Sequence, residues 1–414
     1  MVQEKLVSSE KTKNDNNVYH DEPQLQFDDN SLWEEYQFEE LLEIKYGLNK
    51  RKDYFGYGIP ILKYMDVNKN IYNTKESIKG LVDVDKNEIK RYNVKPNDLF
   101  FTRTSETSDE IGLTSAYTGE LMDCVFSGFI LRARPIKEDI NSLFFAYYLR
   151  SDKSRSNIIK YSSITTRALI SGSNLYKMKV RMPKIDEQNK IAGFLSAIDK
   201  KIELLEKKYN EKLIFKEEFF NKYISSLSKE TQKIKLNNLI KILNDRNKNN
   251  DDLEVLSISN KLGFISQEKQ FEDRIVASSD TKNYKIVKKG YFAYNPARIN
   301  VGSIARLKNY DEGIISPMYI VFKINEDLIN PIFFENYLST NYFKLEILKR
   351  LEGSVRLILS AESLKNIEIF IPPLDEQDKI SSFMITLTKN LELSKIELDN
   401  FKEFKKGLLQ KMFV

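Results

Sequence analysis

The chain has one cysteine, one histidine and one tryptophan in 414 residues. Cys124 alone can build neither a disulfide framework nor a thiolate metal cluster, and His20 sits in a polar stretch near the N-terminus. A zinc site of any usual ligand set is therefore excluded within one chain, and no metal site is expected. Long apolar runs are also missing: the run at 143–149 is among the longest, far short of the ~20 residues a membrane helix needs. No basic-then-apolar signal pattern opens the chain. The expectation is a cytoplasmic protein with no membrane partner. What is present is core material, 41% hydrophobic and 12% aromatic, in a chain long enough for two to three domains.

Residues 1–30 are polar and acidic, with Glu4, Glu10, Asp15, Asp21, Glu22, Asp28 and Asp29 against Lys5, Lys11 and Lys13. They lack apolar periodicity, so a disordered leader is expected there. Without it, the formal +5 of the whole chain becomes +9 for residues 31–414. That balance suits a polyanionic partner without demanding one.

The decisive feature is internal repetition. The segment Asn141-Ser-Leu-Phe-Phe-Ala-Tyr-Tyr-Leu149 lies over Asn330-Pro-Ile-Phe-Phe-Glu-Asn-Tyr-Leu338. At the same offset Arg167 falls on Arg356, Leu175 on Leu364, and Met182-Pro-Lys-Ile-Asp-Glu-Gln188 on Ile371-Pro-Pro-Leu-Asp-Glu-Gln377. No gap is needed from 141 to 188. A period this long means two whole domains in tandem rather than a solenoid. Each copy has strand-like runs broken by Gly, Pro and Asn (123–133; 313–324), a short helix (143–150; 332–339), a β-like run into proline (178–183; 367–372) and then a long helix.

The long helices carry matched seams. Ile191, Leu195, Ile198, Ile202 and Leu205 alternate steps of four and three, as do Ile380, Met384, Leu387 and Leu391, with Leu398 one heptad further on. This is two-stranded coiled-coil spacing. Acidic residues at both helix starts and lysines at both ends complement the helix dipole. The fold expected is α+β: a leader (1–30), a first domain (31–184), a central spacer helix (185–229), a second domain (230–373) and a C-terminal spacer helix (374–414). The two helices are expected to pair as an antiparallel coiled coil. A helix of ~40 residues is about 60 Å long, so the pair would hold the globular units apart.

Catalytic sets are absent. With one histidine there is no nucleophile–histidine pair. Gly56-Tyr57-Gly58 offers two glycines of a dinucleotide fingerprint, but position 61 is Ile. Asn295-Pro296-Ala297-Arg298 resembles an adenine-methyltransferase box only in its first two residues and reads as a turn. Glu43-Ile44-Lys45 and Glu88-Ile89-Lys90 lack the Pro-Asp partner of a nuclease motif. What remains is recognition chemistry: Arg and Lys meet guanine, Asn meets adenine, and further cations hold phosphates. Candidate DNA contacts in loop-like stretches are Arg51, Lys52, Arg103, Thr104 and Ser105 in the first copy, and Arg246, Asn295, Arg298, Asn300 and Arg306 in the second. The repeat-matched pair Arg167 and Arg356 joins them, although a structural ion pair would explain that match equally well. The Pro-x-x-Asp-Glu-Gln elements read as a strand end followed by a helix start, not as a carboxylate dyad.

These features together resemble the specificity subunit of type I restriction-modification systems over nearly the whole chain after residue 30. The most specific marks are the Pro-x-x-Asp-Glu-Gln-x-x-Ile helix starts at 183–191 and 372–380. Tyr294-Asn-Pro-Ala-Arg-Ile-Asn-Val-Gly-Ser303 and Ile315-Ser-Pro-Met-Tyr-Ile-Val-Phe322 resemble a target-recognition core. Their first-copy equivalents, Phe101-Thr-Arg-Thr-Ser105 and Val125-Phe-Ser-Gly-Phe129, are more diverged. The resemblance implies a non-catalytic subunit with a target-recognition domain for each half of a bipartite, asymmetric double-stranded DNA site, and a helical ruler for the gap. It also implies two modification subunits that bind S-adenosylmethionine and methylate adenine. Two motor-nuclease subunits that use ATP and Mg would complete the complex, leaving no cofactor on this chain. Two other readings stay open on the residues alone. A coiled-coil scaffold needs only the heptads, and a self-contained methyltransferase would need a cofactor box that is missing.

Overall fold

The computed structural model describes residues 23–28, 32–260, 262–267, 281–354 and 357–413. Chain contacts divide it into two compact units, Met1–Leu205 with Glu397–Val414, and Glu206–Ile396.

In the first unit a five-stranded sheet runs in the order Leu42–Tyr46, Ile130–Pro135, Leu99–Thr102, Thr114–Tyr117, Tyr72–Asn73, antiparallel except for its last pair. Its central strand, Leu99–Thr102, is buried on both faces. One face meets the helix Ser142–Tyr148, where Phe144 and Phe145 are fully buried with Phe101 and Leu131. A three-stranded sheet joins Leu81–Val82, Phe55–Leu62 and Val125–Phe126. Another joins Ser163–Ile164, Ala168–Leu169 and Thr104–Ser105.

The second unit repeats the plan with fewer strands around its helix. Ile240–Leu243, Ile320–Ile324, Phe292–Tyr294 and Ile304–Arg306 form an antiparallel sheet. Phe333, Phe334 and Tyr337 of the helix Pro331–Tyr337 share a buried cluster with Phe292, Tyr294 and Phe322. A second four-stranded sheet orders Gly263–Ser266, Val255–Ser259, Glu312–Ile315 and Lys285–Lys288.

The Asp-Glu-Gln elements have a packing cause. The long helices start at Ile185 and Leu374, and their first-turn glutamines, Gln188 and Gln377, are fully buried. Gln188 accepts from the Asn141 backbone N–H (2.9 Å) and donates to the Pro183 carbonyl (2.9 Å). Gln377 accepts from the Asn330 N–H (2.9 Å) and donates to the Pro372 carbonyl (2.8 Å). Asn141 and Asn330 in turn cap the short helices, each accepting from two backbone N–H groups. One amide thus ties strand end, cap and long helix together, and buried polar groups must be satisfied in this way.

The long helices pair antiparallel, as expected, in each unit. In the first, Lys405 bonds Asp199 at 2.5 Å and Lys201 lies over the Phe401 ring. Ile191, Leu195 and Ile198 are buried with Leu408 and Met412. In the second, Phe219 meets Phe383 with ring centroids 4.8 Å apart, and Tyr223 donates to Glu376 at 2.7 Å. Of the expected seam, Leu205, Met384, Leu391 and Leu398 are buried, while Ile202, Ile380 and Leu387 are half-buried. After Tyr209 the apolar seam of the central helix gives way to Lys212 and Lys216. Their ammonium groups donate to Ser394 (2.7 Å) and Thr388 (2.8 Å), and burial holds Lys216 below the usual lysine pKa.

One expectation is corrected. Within the supposed disordered leader, residues 1–22 and 29–30 lie outside the described residues, but 23–28 are docked. The Gln24 and Leu25 N–H groups donate to the Lys411 carbonyl at 2.8 and 3.1 Å, satisfying a helix-end acceptor. Phe27 donates its N–H to Glu187 (2.7 Å) and packs edge-on against Phe194. The strand-like runs 123–133 and 313–324 are each two strands separated by a turn, with Gly128 and Pro317 at the breaks.

Candidate nucleic-acid interface

Several of the expected contact residues bond or adjoin those two turns. In the first unit Ile130 N–H donates to Ser127 O (3.1 Å), and in the second Tyr319 N–H donates to Ser316 O (3.0 Å). Gly128 and Pro317 occupy the first central position of each turn and Phe129 and Met318 the second. Phe129 is 63% exposed and Met318 55%.

Around the first turn, the Gly128 N–H donates to Leu48 O (2.8 Å), which places the cationic segment Lys50-Arg51-Lys52 in the adjoining stretch of chain. Arg51 is 80% exposed, with Asp53 at 3.9 Å, and Lys52 is exposed at the start of a short 3-10 turn. Arg103 is spent on the turn itself. Its N–H donates to Phe129 O (3.0 Å), its Nη1 to Gly128 O (3.2 Å), and its guanidinium stacks on Tyr46 at 4.9 Å. Thr104 and Ser105 form the small strand beside it, paired with Leu169 and Ala168. Ser105 is buried, and its hydroxyl accepts from the Thr107 N–H. Arg167, at the neighbouring hairpin, is 70% exposed and only 3.9 Å from Glu106.

The second turn is braced differently. Lys285 donates to the Tyr319 carbonyl at 2.6 Å, and burial, then Arg246, lowers its pKa. Arg246 bridges to Lys285 in backbone pairing, bonds Asn283 at 2.9 Å and is exposed. Asn295 is nearly buried: it accepts from the Ala297 N–H (3.0 Å), and its amide reaches the Met318 sulfur at 3.8 Å. Arg298 and Asn300 are exposed on the turn that follows.

Three of the sequence candidates, Arg103, Asn295 and Arg306, make contacts within the chain. Arg103 and Asn295 support a turn, since their polar atoms bond its backbone or side chain. Arg306 points elsewhere, held by Glu335 through Nε (3.2 Å) and Nη2 (3.0 Å), so its guanidinium serves an internal ion pair. Arg356 lies outside the described residues. The remaining motifs are structural. Glu88 completes a capping box with Asp85 and pairs with Lys50 at 2.7 Å; Glu43 and Lys45 are an exposed pair at 3.0 Å. Lys285 and the two turn-tip residues were not among the sequence candidates. The Ser-Gly-Phe and Ser-Pro-Met triplets at equal repeat positions were the available signal for the tips.

The comparisons with known proteins agree with this duplicated plan. A family model described as the type I restriction modification DNA specificity domain matches the chain twice, over residues 30–213 and 218–401. The putative type I restriction enzyme MjaX specificity subunit of Methanocaldococcus jannaschii is 24% identical, over 91% of this chain and 92% of its own length. The crystal structure of the S subunit of a type I restriction-modification system from M. genitalium superposes with a TM-score of 0.56 at 16% identity, covering 95% of this chain and 99% of that one. A chain from a structural study of complex assembly and conformational transition of the type I R-M system gives 0.55 at 13% identity, over 92% and 97%.

Proposed function

Because the chain belongs to the type I restriction-modification DNA specificity family, and is a recognition subunit rather than a catalytic one, we propose that each of its units reads one half of a bipartite, asymmetric DNA site. The observation that carries this is the pair of turns: the same backbone hydrogen bond and register, with different side chains at the tip and different cations around it. Equivalent frames with unlike surfaces are what two different half-sites require. The paired helices set the unspecific gap.

The catalytic work belongs to partners. Two modification subunits carry S-adenosylmethionine and methylate adenine, and two restriction subunits use ATP and Mg. Two copies of one partner need two like docking faces, and the helices offer matched apolar positions. Leu204 and Leu393 are 64% and 58% exposed, and Phe215 and Phe404 are 52% and 51%.

A domain exchange tests the reading. Replacing residues 31–184 with the corresponding domain of another family member should change one half of the methylated motif and leave the other half and the gap untouched. A change in both halves would refute independent reading.

A further inference from the structure

We propose that Phe129 and Met318 are the base-reading side chains of the two recognition units, each touching base edges through apolar contact. This rests on the DNA-reading function above and names the residues that would carry its specificity.

A single exposed apolar side chain needs no explanation. Recurrence changes that. Phe129 and Met318 occupy the same position of the same turn in both copies, and both keep more than half of their surface exposed. The residues just before them, Val125 and Phe126 in one copy and Ile314 and Ile315 in the other, are buried. Each turn therefore roots itself in a core and presents its tip. A tip with no surface role would be free to become polar in at least one copy.

The tips are also held. Arg103 bonds the backbone of Gly128 and Phe129. Lys285 and Asn295 do the corresponding work at Tyr319 and Met318. Rigid placement matters for a reader and not for a solvated loop. The chain beside each tip is cationic and exposed, with Arg51 and Lys52 in the first unit and Arg246 in the second. Cations there would hold the phosphates while the tip reaches the groove, and an apolar group in the groove distinguishes thymine by its methyl group. Phe and Met differ in shape and stiffness, as readers of two unlike half-sites should. Arg103 and Asn295 are then positioning residues, which act through the turn.

The test uses the chain assembled with its modification partners. Methyl transfer is measured on a duplex carrying the complex's own motif and on a panel substituted one base at a time. Phe129→Ala should lower discrimination roughly 5- to 100-fold at one or two positions of one half-site, and Met318→Ala should do so in the other half only. Phe129→Leu should keep most of the discrimination. Melting temperatures should match the wild type, since both side chains are mostly solvated. Wild-type discrimination at every position in both alanine variants would overturn the proposal, as would an equal fall across both halves. If the wild-type complex itself shows no split motif, the DNA reading fails; if the motif is present and the variants leave it unchanged, only the assignment of these two residues fails.

Discussion

At the scale of single residues, the most informative are two glutamines with no part in DNA chemistry. Gln188 and Gln377 are fully buried and bond the backbone of a helix cap and of a proline-ended strand. Removing such a side chain leaves a backbone N–H and a carbonyl unpaired in the interior, at about 1–3 kcal/mol each. Gln377→Ala should therefore destabilise the chain by about 3 kcal/mol in denaturant titration, whereas Asp375→Ala, in the same motif and exposed, should cost less than about 1 kcal/mol. Equal effects would show that the motif works through surface charge and not through the buried amide. The sequence revealed that these positions recur and that they mark a helix start. It could not reveal which of Asp, Glu and Gln faces inward, because that depends on the preceding strand and on a cap 47 residues earlier. The same limit explains Arg306. As a lone arginine in a loop-like stretch it resembles a phosphate contact, and only the fold brings Glu335 to it.

At the scale of elements, the helix pair was the most legible part of the chain, since a seam of period 3.5 is a local property. Its polar interruption was not, because Lys212 and Lys216 become seam residues only when Ser394 and Thr388 stand opposite them. A polar pair in a seam fixes register at some cost in stability. The breaks at Gly128 and Pro317 were legible, but the hydrogen bonds that close the turns at Ser127 and Ser316, and the sheets their strands join, belong to the fold. The proposed ruler role makes an element-scale prediction. Deleting one heptad from each helix at facing positions, 212–218 and 386–392, removes about 10 Å of helix length. The gap in the methylated motif should shorten by about three base pairs at ~3.4 Å per pair, with both halves retained. An unchanged gap would show that the helices do not measure it.

At the scale of the whole molecule, the chain is one plan used twice. The repeat gives two units the same cap, the same buried glutamine, the same helix start and the same turn, while the residues at the tips and around them differ. Family membership follows from two matches of equal length that together span most of the sequence. The proposed division of labour follows from a chain rich in recognition groups whose partners supply the chemistry. The duplication was visible without coordinates. The docking of residues 23–28 onto both long helices was not, because Phe27 and Leu25 gain meaning only from Phe194 and the Lys411 carbonyl. The most direct test of the central claim is the adenine methylome of cells carrying this chain with its modification partners, set against cells lacking only this chain. The account predicts one split motif that depends on the chain, with two short specified blocks separated by a fixed run of unspecified bases. A methylome with no such motif, from cells in which the complex demonstrably assembles, would contradict it.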